Sequence, residues 1–172
     1  MFEENKNDKQ YCISVFDLCQ TYGSFNAIDG ISFNLEYGKV FGFLGPNGAG
    51  KTTTIKILTT LIQPSSGTVK IFGKDILSHS MEIRKRIGVV MQQPSFEANL
   101  TVERALELYG FMWKLPSRKR KEKVIELLNA FDLENIRNIK NDELSIGQRR
   151  RVQVATVTCR GGHKHDYSEL PL

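Results

Sequence analysis

The sequence predicts an α/β fold, and three observations carry that prediction. Over the first half of the chain, runs rich in β-branched and aromatic residues alternate with runs of helical period, the pattern of a largely parallel sheet flanked by helices. A glycine-rich turn, Gly45 to Gly50, stands between one such strand and the helix after it. Further on, two stretches of helical period follow one another with no strand between them, so they should leave the sheet and pack as a helical subdomain.

In order, Tyr11 to Leu18 and Ala27 to Leu35 are β-rich runs on either side of the turn-like Tyr22-Gly23-Ser24. After Gly38, Val40 to Leu44 reads as a short apolar strand. The helix Lys51 to Ile62 that follows the glycine-rich turn carries Ile55, Ile57, Leu58, Leu61 and Ile62 largely on one stripe, and Pro64-Ser65-Ser66-Gly67 stops it. Thr68 to Phe72 reads as another strand and Met81 to Arg86 as a short helix. Ile87 to Met91, with no polar side chain, reads as a buried strand. Past Gln92-Gln93-Pro94, Val102, Ala105, Leu106 and Tyr109 recur at helical spacing, as do Val124, Leu127, Leu128 and Phe131. Arg118 to Lys123 precedes the second stripe and reads as a solvated helix face, and Thr101 reads as a helix N-cap.

Composition bounds the function. A chain of 172 residues suffices for one domain with a sizeable core and is too short for two full α/β domains. At 40% hydrophobic and 25% charged residues, disorder, collagen and coiled coil are poor readings. No apolar run approaches the roughly 20 residues needed to cross a bilayer, and the opening MFEENKNDKQ lacks the apolar centre of a secretion signal. The chain is therefore expected to be soluble or peripheral. The net charge of +5 suits phosphate ligands, an anionic membrane face or nucleic acid without choosing among them. Cys12, Cys19 and Cys159 match no disulfide framework or zinc ribbon, which suits a reducing cytosol.

The chemistry concentrates in Gly45-Pro46-Asn47-Gly48-Ala49-Gly50-Lys51-Thr52-Thr53. It fits G-x-x-x-x-G-K-[ST] between a predicted strand and a predicted helix, the context of a phosphate-binding P-loop. The glycines allow backbone N–H groups to point inward at phosphates, and the helix N-terminus adds partial positive charge. Lys51 is placed to reach the β- and γ-phosphates and the Thr52 hydroxyl to ligate Mg²⁺. Asn5-Lys6-Asn7-Asp8 spells the guanine-reading N-K-x-D string, but it lies ahead of the P-loop in a polar tail and reads as coincidence.

Downstream, Leu144-Ser145-Ile146-Gly147-Gln148-Arg149-Arg150-Arg151 closely resembles the LSGGQ signature of ATP-binding cassette (ABC) proteins. With GPNGAGKTT, the chain resembles the nucleotide-binding subunit of an ABC transporter over about Tyr11 to Ala155. The wording VFGFLGPNGAGKTTTIKILTTLIQPSSGTVKIFG, LTVERALELYGFM and QRRRV is most similar to the ATPases of ABC-2 type drug-resistance exporters. The resemblance implies a P-loop NTPase core with an antiparallel β subdomain and a helical subdomain at about 95 to 145, between a polar tail at 1 to 10 and a divergent tail at 156 to 172. It implies that Tyr22 stacks on adenine, that Gln92 touches Mg²⁺ or the attacking water, and that Ser145, Gly147 and Gln148 bind the γ-phosphate of ATP held by the P-loop of a second subunit. ATP, Mg²⁺, a head-to-tail dimer and a membrane-spanning permease subunit follow as expected partners, at the cytoplasmic face of the membrane and with no nucleic acid. Ile146 stands where the family has glycine, which a β-branched residue does comfortably only at negative φ.

After Ala155 the family pattern is expected to stop. The family continues with a helix and then an apolar strand ending in Asp-Glu, for Mg²⁺ and for water, and later a switch histidine. Here that pair would fall near Ser168 and Glu169, behind the polar stretch Lys164 to Tyr167, so the C-terminal part of the fold reads as missing and the chain as truncated. Cys159, His163, His165 and Asp166 have the letters of metal ligands but no second cluster, and read as a solvated terminus. The alternatives to a transporter ATPase are a nucleotide-binding module without hydrolysis and a soluble ABC ATPase acting elsewhere.

Overall fold

The computed structural model describes residues 10–90 and 98–159. They fall into two compact units that divide between Ile87 and Gly88.

The first unit is built on an antiparallel sheet. β1 (Tyr11–Tyr22) and β2 (Phe25–Glu36) form a long hairpin turning at Gly23-Ser24, and β3 (Ser66–Ile71) pairs with the other edge of β1. β4 (Lys74–Asp75) completes the order β2-β1-β3-β4. Alternation makes the sheet one-sided: Val15, Leu18, Val69 and Ile71 are buried, together with Ile57 and Leu58 of α1 (Lys51–Leu58) and Ile83 of α2 (Ser80–Arg84). β1 bulges where its register on β3 shifts between Phe16 and Cys19. Asp17 there takes φ 47° and its N–H donates to Ser32 Oγ at 2.8 Å. Gly67 lies against that bulge at φ +90°, and a Cβ on it would collide with the Asp17 carbonyl, so only glycine lets the two backbones meet.

The second unit packs α3 (Val102–Met112), α4 (Ser117–Ala130) and α5 (Ile146–Thr158) around one apolar core. Both predicted stripes face it: Val102, Ala105, Leu106, Val124, Leu127, Leu128 and Phe131 are buried and Tyr109 is half-buried against them. Thr101 caps α3 as expected, its side chain accepting from the Arg104 N–H. α5 runs through Ala155 to Thr158, and the buried Cys159 donates its thiol to the Leu106 carbonyl. Burial pushes that thiol's pKa up to about 12, which keeps it protonated in the packed core. His163, His165, Asp166 and Glu169 lie outside the described residues, as do Asn5 to Asp8.

Two predicted strands are not formed. Val40 to Leu44 is irregular, and so is Ile87 to Val90, with Met91 outside the described residues. A strand exists only in a ladder with a neighbour, and no described strand pairs with either segment. Val40 and Leu44 are 87% and 97% exposed, whereas Phe41 and Phe43 fold back on Phe33 with ring centroids 5.1 and 5.4 Å away. The described sheet is thus wholly antiparallel, where the alternation of elements predicts a largely parallel one. α1 likewise stops at Leu58 instead of Ile62, because Thr60 turns left-handed at φ 59° and the Thr60 and Leu61 N–H groups close back on the Ile57 and Lys56 carbonyls. α3 and α4 end in the same way at Lys114 and Asp132, so three helices stop with a left-handed residue that is not glycine.

Candidate functional site

The glycine-rich turn delivers the chain into α1 with an open N-terminus. The Ala49 N–H donates to the Pro46 carbonyl at 3.3 Å, closing a turn, and Gly48 and Gly50 take φ +87° and +76°. At Gly50 a Cβ would strike the Ala27 carbonyl on β2, so the residue must be glycine for space as well as for φ. Gly50 is also the N-cap of α1, and having no side chain it cannot cap. The first-turn N–H groups of Lys51, Thr52 and Thr53, which have no intrahelical acceptor, are therefore claimed by no cap, and no acidic side chain in that turn offsets the helix dipole.

Lys51 curls back over the loop. Its Nζ donates to the Gly45 and Pro46 carbonyls at 2.7 and 2.5 Å, which leaves one of its three donors beyond these two bonds. The Thr54 hydroxyl and N–H both donate to the Gly50 carbonyl, pinning the loop to the helix. Thr52 keeps an exposed side chain beside them.

These groups line a cavity of about 260 Å³ with Tyr22, Phe25, Ala27, Asn47, Gly48, Gly50, Lys51, Thr52 and Thr53 around it. Gly45, Pro46 and Ala49 shape the loop behind the lining. Tyr22 and Phe25 are direct cross-strand partners at the hairpin end, which puts the two half-exposed rings on one face. Phe25 was not visible as a site residue in the sequence. Its signal was the two-residue turn, which pairs the residues flanking Gly23-Ser24. Among the described residues larger hollows exist, one of about 520 Å³ beside Arg104, Phe111 and Arg120, but unlike that one the loop cavity is bordered by an uncapped helix N-terminus and a lysine. The donor set, backbone N–H groups with one ammonium and a hydroxyl, fits a polyphosphate, and Thr52 is the described residue that fits a bound Mg²⁺.

The signature residues stand in the second unit. Ser145 caps α5 in a reciprocal box: its Oγ accepts from the Gln148 N–H at 3.3 Å and the Gln148 Oε1 accepts from the Ser145 N–H at 2.9 Å. Because Oγ is the acceptor, its own hydrogen remains to donate. Ile146 is the first residue of the helix, 82% exposed and not among the positive-φ residues, so the β-branched side chain fits without strain. A Cβ on Gly147 would meet open space. Gln92 lies outside the described residues.

The chain is similar to known proteins. The ABC transporter family model matches residues 28–162, past Ala155. The probable multidrug ABC transporter ATP-binding protein YbhF of Escherichia coli is 36% identical over 154 residues, covering 90% of this chain and 26% of that protein. The daunorubicin/doxorubicin resistance ATP-binding protein DrrA of Streptomyces peucetius is 37% identical over 143 residues, covering 83% of this chain and 43% of that protein. Among solved structures, cbiO1 from Clostridium perfringens, part of the ABC transporter complex cbiONQ, superposes with a TM-score of 0.79 at 29% identity, over 87% of this chain and 62% of that one. The chain thus spans less than half the length of these two curated relatives.

Proposed function

Because the chain belongs to the ABC transporter family and has the fold of its ATP-binding domains, we propose that it binds Mg-ATP in the loop cavity as the ATPase subunit of a membrane exporter. The observation that carries this reading is the cavity itself, where an uncapped helix N-terminus, the Lys51 ammonium and two aromatic rings face one space. In this reading the N–H groups of Gly48 to Thr53 hold the β-phosphate, Lys51 turns from the loop carbonyls to the β- and γ-phosphates, and Tyr22 stacks on the base. Thr52 and Gln92 hold Mg²⁺, which supplies charge neutralisation on the phosphate oxygens when bound. Ser145, Gly147 and Gln148 offer the start of α5 to the γ-phosphate in a second subunit, so the working unit is a head-to-tail dimer. The names of the relatives, a multidrug ABC transporter ATP-binding protein and a drug-resistance ATP-binding protein, support a part in drug export; the separate membrane subunit, with this chain on its cytoplasmic side, belongs to the same reading.

A titration with a fluorescent ATP analogue tests the reading: saturable binding that competes with ATP and is strongly weakened in Lys51→Ala is the expected result, and unchanged affinity in that variant overturns it. A second reading, binding without turnover, is favoured by one observation. Among the described residues lining the cavity there is no Asp or Glu to take a proton from water. Phosphate release abolished by Lys51→Ala decides against that second reading.

A further inference from the structure

We propose that the tip of the α3–α4 hairpin is a membrane-docking element that inserts into an anionic lipid surface. Phe111, Met112 and Trp113 close α3 in three successive residues that the second unit leaves 65%, 63% and 40% exposed. A soluble surface scatters such side chains singly, and three exposed large apolar residues in succession at one helix end depart from that pattern. Trp at the edge of such a patch suits the headgroup boundary, where one side of the ring is apolar and the other wet.

Charge identifies the occupant. From Phe111 to Lys121 the chain reads FMWKLPSRKRK, with cations at Lys114, Arg118, Lys119, Arg120 and Lys121 and no carboxylate. That stretch carries a net +5, as large as the excess of the whole chain. Its cations are only lightly engaged. Arg118 pairs with Glu122 across solvent at 3.1 Å, and Arg120 donates to the Leu115 carbonyl with its guanidinium 5.7 Å from the Phe111 ring. Lys114, Lys119 and Lys121 have exposed side chains. The left-handed Lys114 makes the turn tight, its N–H and that of Leu115 closing on the Phe111 and Gly110 carbonyls, so the aromatic end of α3 and the basic start of α4 meet at one corner. Apolar residues that bury in the acyl boundary, ringed by lysines at the depth of lipid phosphates, are the composition of an interfacial anchor. A bare polyanion such as a nucleic acid would use the cations and leave the three apolar residues wet.

Trp113 is the only tryptophan of the chain, so its emission reports the corner directly. The whole chain is mixed with vesicles of phosphatidylcholine alone or with phosphatidylglycerol added, and emission and co-sedimentation are followed. The expected result is a blue shift and co-sedimentation with the anionic vesicles only, both reversed by salt. Lys114→Gln with Lys119→Gln and Lys121→Gln should weaken partitioning on the order of 100-fold. Phe111→Ser with Met112→Ser should leave salt-sensitive binding but abolish the blue shift, with the far-ultraviolet circular dichroism of both variants unchanged. Emission unmoved by anionic vesicles, an equal shift with neutral ones, or partitioning indifferent to the three glutamines overturns the proposal. So does tighter binding to duplex DNA with emission unshifted, which would assign the cations to nucleic acid.

Discussion

α1 and α5 both begin at a motif of the proposed nucleotide site, yet their first turns are finished in opposite ways. α5 closes itself, with Ser145 and Gln148 exchanging side-chain to backbone hydrogen bonds. α1 opens after Gly50, which offers no side chain, and its nearest cation is Lys51, held on two loop carbonyls. The difference shows how one elementary feature, the orphan N–H groups of a helix start, is turned to two uses. Where they are satisfied internally, the helix gains stability and offers the hydroxyl of its cap. Where they are left open, the site is ready for an anion and the stability lost must come from elsewhere, here from the Thr54 bonds to Gly50 and the packing of Ile57 and Leu58.

The contrast is broken most severely at Gly50. Gly50→Ala places a Cβ against the Ala27 backbone at φ +76°, where neither partner can swing aside. Left-handed strain and the collision together should cost about 3 kcal/mol, read as a lower urea midpoint. A variant as stable as the parent would mean that α1 does not need this loop geometry. Next is Lys51→Ala, which should weaken ATP by about 2 kcal/mol, the value of a charge-assisted hydrogen bond to phosphate, with little change in melting temperature. In α5 the expectation reverses: Ser145→Ala removes the cap and should cost between about 1 and 2 kcal/mol of stability, while ATP affinity of the isolated subunit stays unchanged. If Ser145→Ala weakened nucleotide binding in dilute monomer as strongly as Lys51→Ala, the separation of roles between the two helix starts would fail.

Both helix starts were legible in the sequence because their determinants are contiguous. Gly45 to Thr53 and Ser145 to Gln148 carry their geometry within a few residues, and so does the Thr101 cap. The helical stripes were legible for the same reason, since Val124, Leu127, Leu128 and Phe131 meet one face of one helix whatever lies across from it. Val40 to Leu44 was not, because an apolar run becomes a strand only when another segment pairs with it, and no local pattern records the partner. Nor was the end of α1 legible, since Thr60 is an unfavourable residue for the left-handed turn it makes and sequence rules look for glycine there. Phe25 escaped for a third reason: its place in the cavity depends on register across the hairpin, which the identity of one aromatic residue does not reveal.

The smallest expected effect lies at the aromatic rim of the open site. Tyr22 is half exposed at the end of β1 and reaches the cavity from the hairpin, away from the loop that would hold the phosphates. Its ring can contribute only through the base, by stacking worth about 1 kcal/mol. Tyr22→Ala should therefore weaken ATP by about that amount and leave inorganic triphosphate unchanged, whereas Lys51→Ala weakens both. Competition of the two ligands against a fluorescent nucleotide measures the difference. Because Phe25 stands opposite Tyr22 in register and borders the same cavity, part of the stacking surface survives the substitution, which holds the loss near the low end. An equal loss for ATP and triphosphate would show that Tyr22 supports the loop instead of the base.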